Sequence, residues 1–165
     1  MSFSKKNKAF TLIELLVVVA IMAILTAIII TNLTQAKGKS RDAKRVSDLA
    51  QMQLALELFF DRCNRYPVVA TVSGANIPAI GDTGNGCPTG ITLQTFISQI
   101  PNPPTAGDYT YAVNNATTPV DYVLRAKLET NNAALTDDVN VTVHGTDCSE
   151  TEVPSPVYYY CVVPR

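Results

Sequence analysis

Between Phe10 and Leu33 the chain runs for 24 residues with one charge, Glu14, and the stretch LLVVVAIMAILTAIII from Leu15 to Ile30 is broken only by Thr26. As a helix, this segment is about 36 Å long at roughly 1.5 Å per residue, enough to cross a hydrocarbon layer of roughly 30 Å. It therefore reads as a membrane segment or an export signal, and a core helix of a small domain is excluded. Glu14 sits at the head of this run, where a carboxylate costs about 2.5 to 3.5 kcal/mol on insertion scales and ordinarily has a partner. Lys5, Lys6 and Lys8 precede the run, an arrangement that keeps the N-terminus cytoplasmic.

Beyond the apolar segment the helical pattern continues without proline through KGKSRDAKRVSDLAQMQLALELFFDR, with Val46, Leu49, Met52 or Gln53, Leu56 and Phe59 or Phe60 at helical spacing. The spacing predicts one helix of about 50 residues, apolar in its first half and amphipathic in its second. Gly38 is its expected flexible point. Tyr66-Pro67 ends it, since a residue before proline is pushed out of helical geometry.

The remaining 100 residues read as a small head. Val68 to Thr92 is a turn-rich connection. Its GDTGNGCPTG matches neither a phosphate-binding loop, which needs a following G-K-S/T, nor an EF-hand. Leu93, Phe96, Ile97 and Ile100 lie on one face of an expected short helix stopped by Pro101, Pro103 and Pro104. Four strands follow: Tyr109 to Val113, Tyr122 to Leu128, Val139 to Val143 and Val157 to Val163. Their alternation predicts an antiparallel sheet with one face to cover, and the amphipathic half of the helix is the cover. The three consecutive tyrosines read as plain strand, and His144 falls on the exposed phase of its strand.

Charge is segregated. From Lys37 to Arg65 there are seven basic residues against four acidic ones, and from Tyr66 onward three against nine, beneath a formal total of −1. A basic stem and an acidic head in neighbouring copies would attract one another.

Four cysteines, Cys63, Cys87, Cys148 and Cys161, all follow the apolar segment, which suits two disulfides in an oxidising compartment. Three pairings are possible. Cys63 with Cys87 and Cys148 with Cys161 is favoured, because both bonds close short loops rich in turn residues. Zinc is disfavoured, since no C-x2-C pair exists and His144 is the only histidine. A Ser-His-Asp or Cys-His arrangement would have to use that single histidine, and nothing nearby in sequence supports one, so no catalytic constellation, cofactor site or small-molecule site is assigned. The chain reads as no enzyme. Nucleic acid is disfavoured as a partner of the acidic head, although the basic stem could touch phosphate once exposed.

At the residue level, KAFTLIELLVVVAIMAIL resembles the start of type IV pilins and of type II secretion pseudopilins, and SRDAKRVSDLAQMQLALELFFDRCNRYP is similar to the helix end of that family. The resemblance implies a pilin fold: α+β, a long N-terminal helix packed on a C-terminal antiparallel sheet of about four strands. It implies cleavage between Ala9 and Phe10 by prepilin peptidase, N-methylation of Phe10, and assembly through Phe10, Leu12, Ile13, Glu14, Leu15 and Leu16. The chain divides accordingly into a leader (1–9), a membrane and filament-core helix (10–33), an amphipathic helix (34–65), a connecting region (66–107) and a sheet head closed by a disulfide-bounded loop (108–165).

The implied partners are further copies in a helical filament, the peptidase, an inner-membrane assembly platform and a cytoplasmic ATPase, with nucleic acid only if the fibre were used for DNA uptake. The subunit would be a single-pass protein of the cytoplasmic membrane first and part of an extracellular pilus afterwards. Between pilus and secretion machine, two expected disulfides and the lack of the calcium-site acid cluster of major pseudopilins favour the pilus. Ala9 stands where relatives usually carry glycine. Ala23 and Thr31 stand where many carry glycine and proline, which predicts a straighter membrane helix. An ordinary secretory signal cleaved after Ala36 is the competing reading of the apolar run, and it leaves Glu14 without a purpose.

Overall fold

A computed structural model describes residues 10–67, 71–73, 87–88, 90–105, 109–115, 117–150 and 156–164. The expected leader, residues 1–9 including Ala9, lies outside the described residues, as does most of the 68–92 connection. One helix, α1, spans Leu12–Cys63 (52 residues) without a break at Gly38 or at Thr31. The chain divides into two units after Lys37.

The first unit contains the apolar part of α1. Its side chains from Leu12 to Ile30 are exposed on every side of the helix, with Leu12 at 82% and Ile24 at 65%. The stretch is long and apolar enough to cross a membrane, with a mean hydropathy of 3.0 over its best window. Thr26 and Thr34 each turn a hydroxyl back onto the carbonyl four residues earlier, Met22 and Ile30, so these polar groups are satisfied within the helix.

In the second unit, α1 buries Leu49, Met52, Ala55, Leu56, Phe59 and Cys63, a stripe at three- and four-residue spacing. It packs on a sheet of four antiparallel strands in the order β1 (Thr71–Ser73), β2 (Tyr109–Val113), β3 (Tyr122–Leu128) and β4 (Tyr158–Val162). Three of these are full strands, and β1 adds three residues at the edge, pairing Thr71 with Ala112. Alternate residues Tyr109, Tyr111, Val113, Tyr122, Leu124, Ala126 and Leu128 form the core with the helix.

Three expectations are corrected. Val139 to Val143 is not a strand; its alternating valines belong to an irregular segment, and Val143 forms only an isolated bridge with Thr146. The sheet has both faces covered, because Val139 and Val143 pack with Val163 onto a second cluster of Ala112, Val123, Cys148 and Cys161. This is why all five residues of β2 are buried. The expected helix at Leu93 to Ile100 is a single 3-10 turn, Leu93–Thr95, which ends at Phe96 well before Pro101.

The helix end follows its sequence signal. Asn64 takes the left-handed conformation (φ 52°) and donates its N–H to the Phe60 carbonyl at 2.7 Å. Tyr66 then donates to the Pro119 carbonyl, carrying the chain across to the sheet.

Candidate assembly surface

Glu14 is not alone. Its Oε2 accepts the backbone N–H of Thr11 at 2.9 Å and the Thr11 hydroxyl at 2.7 Å, while the Glu14 N–H lies 3.3 Å from Thr11 Oγ1. Thr11 precedes the first helical residue and Glu14 is the third within it, so T-L-I-E forms a reciprocal cap for the two ends of the first turn. The spacing is legible in the sequence as a threonine followed three residues later by glutamate. Among the described residues only apolar groups stand around this cap: Phe10 is 81% exposed, and Phe10, Ile13, Val17 and Val18 line with Glu14 a notch of about 380 Å³. The expected assembly residues Leu12, Ile13, Leu15 and Leu16 are likewise exposed, with no partner surface among the described residues of their own unit. The arrangement offers hydrophobic area in every direction and one carboxylate at its head.

The second unit is braced by acids on α1 that each receive hydrogen bonds from the far side of the fold. Asp42, fully buried, accepts the backbone N–H groups of Glu129 and Thr130, both at 2.9 Å, and the Thr130 hydroxyl at 2.7 Å. It also pairs with the buried Arg45 at 2.8 Å. Asp48 accepts the Tyr109 hydroxyl at 2.7 Å, and Glu57 accepts those of Tyr66 and Tyr122, both at 3.1 Å. Burial, reinforced by the Glu57 charge, pushes both of these tyrosines up from their ordinary pKa.

Glu129 is held by Arg41, whose Nε donates at 2.7 Å, and by Arg45 at 2.8 Å. The hydrogen bond from Arg41 is the main reason that its carboxyl titrates down at about 2. Part of the basic stem is therefore consumed inside the subunit. Gly38, expected as a flexible point, is buried helix: a Cβ there would lie 3.4 Å from the Thr130 methyl.

Cys63 is bonded to Cys87 and Cys148 to Cys161. The second bond ties the irregular segment to β4, where the Cys161 N–H also donates to Asp138 and its carbonyl accepts from Val139. His144, expected to be exposed, is partly buried and lies 2.9 Å through Nε2 from Asp121 Oδ2. It occupies a tight turn with Gly145 in which both central residues have positive φ, 48° and 76°. Among the described residues no cluster of three or more potential metal ligands occurs.

Residues 4–30 match the family described as the prokaryotic N-terminal methylation motif. The chain is 31% identical over 107 residues to type II secretion system core protein G of Klebsiella michiganensis, covering 64% of this chain and 72% of that protein. It is 30% identical over 104 residues to the core protein G of Pectobacterium carotovorum, covering 63% of this chain and 65% of the relative, slightly under two thirds of its length. It is 38% identical over 72 residues to the type IV major pilin protein PilA of Myxococcus xanthus, covering 44% of this chain and 33% of that one. No solved structure matches. With the methylation motif on the apolar helix and the similarity to core protein G running on into the head, the chain belongs to the family of type IV pilins and type II secretion pseudopilins.

Proposed function

We propose that this chain is the repeating structural subunit of a type IV pilus, with no catalytic role. Prepilin peptidase cuts between Ala9 and Phe10, and the new Phe10 amine is methylated. Residues 10–33 hold the subunit in the cytoplasmic membrane until an assembly platform and a cytoplasmic ATPase draw it into an extracellular helical filament.

The observation that carries this reading is the exposure of every side chain described between Phe10 and Ile30. Such a surface is satisfied by lipid first and by the helices of neighbouring copies afterwards. Contacts of this kind, repeated without closure, grow a fibre rather than a ring. Two disulfides that brace the head favour a fibre exposed outside the cell.

A second reading, a pseudopilin that acts in the export of folded proteins, is favoured by the similarity to core protein G, which extends over 104 to 107 residues. Deletion of the gene separates the two. Loss of long surface fibres with exoprotein release intact supports the pilus, whereas blocked release without loss of fibres supports the secretion machine and rejects the first reading.

A further inference from the structure

Where α1 meets the exit of β3 there is an open cleft of about 480 Å³, with Arg41, Arg45, Pro104, Thr105, Lys127 and Glu129 in its wall. Three of these are cations and one is a carboxylate, in a chain whose formal total is −1. Positive charge is thus concentrated here. Arg45 is the buried member: its side chain is 1% exposed, it holds Asp42 and Glu129, both at 2.8 Å, and its Nη2 donates to Thr105 Oγ1 at 3.3 Å. Arg41, with a side chain 42% exposed, spends Nε and Nη2 on Glu129, and its Nη1 has no partner among the described residues. Lys127 is exposed and makes no hydrogen bond or ion pair among the described residues.

The acids that face these cations are already committed. Glu129 is shared by two guanidinium groups, and Asp42 also accepts the Glu129 and Thr130 N–H groups and the Thr130 hydroxyl. The cleft therefore keeps a surplus of donors and of positive charge.

We infer that this cleft is a binding site for a phosphate group, as inorganic phosphate or as a phosphate monoester. A carboxylate offers two oxygens in one plane, whereas a phosphate brings three acceptor oxygens and more charge. Those oxygens match the remaining nitrogen of Arg41, the point charge of Lys127 and the proton of the Thr105 hydroxyl, whose oxygen already accepts from Arg45. Arg45 is fixed before any ligand arrives, so its ordering costs the binding step little. The inference is independent of how the subunit assembles.

The test titrates the full chain, nitrogen-15 labelled and held in detergent micelles, with inorganic phosphate, glycerol phosphate or acetate. It reads the amides of Thr105, Lys127 and Glu129. Expected is saturation by both phosphates with a Kd below about 1 mM, and binding of acetate roughly tenfold weaker. Lys127→Gln should weaken phosphate binding roughly tenfold, with the tyrosine dichroism of the head unchanged because Lys127 is exposed. Lys39→Gln makes the same charge change at an exposed residue outside the cleft and should leave binding as it is. Bilayer discs identify the source. A response of the same amides to phosphatidic acid discs and not to phosphatidylcholine discs supports a lipid head group; a response to the soluble anions alone supports free phosphate or a small ester.

The absence of a saturable response to either phosphate overturns the inference, as does parent-like phosphate binding by Lys127→Gln. An equal loss in Lys39→Gln would reduce the effect to diffuse charge and overturns it too. Acetate bound as tightly as phosphate also overturns it, by assigning the cleft to the acidic side chains of a protein.

Discussion

Asp42 accepts both the backbone N–H and the hydroxyl of Thr130, at 2.9 and 2.7 Å, across a separation of 88 residues in the chain. The same carboxylate holds the buried guanidinium of Arg45, so one side chain fixes α1 to the exit of β3. Asp42→Ala leaves two backbone donors, those of Glu129 and Thr130, without their acceptor and takes from the buried Arg45 one of its carboxylate partners, Glu129 being another. It is expected to lower the unfolding free energy of the head by about 3 kcal/mol. Urea unfolding of the detergent-solubilised chain, followed through the near-ultraviolet dichroism of the tyrosines, measures this; a loss below about 1 kcal/mol would contradict the anchoring role.

Glu129 gives the head a sensitivity to acid. Its carboxyl titrates at about 2 in the fold, against an ordinary value of 4.5, because Arg41 and Arg45 bond its charged form. A depressed acid contributes stability that is fully present above pH 4.5 and is lost as pH falls from 4.5 towards 2. Glu129→Gln should therefore be less stable than the parent at neutral pH and converge with it in acid. Parallel melting curves for the two proteins over a pH series would instead show that Glu129 adds nothing.

The two disulfides close segments of 24 and 13 residues. Each is expected to contribute about 3 kcal/mol by restricting the unfolded chain. Replacing Cys148 and Cys161 together by alanine should also free the irregular segment from the outer sheet face, so hydrogen exchange at Val139 and Cys161 should quicken first. Unchanged exchange at those two amides would place the attachment elsewhere.

Phe59 fills the core between α1 and the sheet and meets Phe96 edge to face at 6.3 Å. Phe59→Ala should cost about 3 to 5 kcal/mol of head stability through the cavity left behind. Membrane insertion, which depends on residues 10–33, should be untouched. Failure to insert would link two segments expected to act independently.

Much of this architecture was readable from residue spacing because it is local. The stripe Leu49, Met52, Leu56, Phe59 declares a helix face within a few turns, and β2 and β3 declare themselves by tyrosines and aliphatics in alternation. The cysteine pairing followed from the shortness of the loops. What escaped depends on partners distant in sequence. Asp42 looks like a solvated charge until Thr130 is brought to it. Val139 and Val143 alternate as a strand does, yet they serve as plugs on a sheet face whose need for covering only the assembled strands reveal. His144 falls on the solvent phase only of a strand that does not form. The Thr11–Glu14 cap is local, and its threonine followed three residues later by glutamate is a sequence signal of a helix start.

The attachment at Cys161 has a meaning for crowding. A terminal strand with bare amide and carbonyl groups invites another chain to extend the sheet, and the danger grows when many identical copies stand side by side. At Cys161 the N–H is taken by Asp138 and the carbonyl by Val139, with the disulfide locking the cover in place. At that point the sheet cannot add a strand. Growth by sheet extension is closed there.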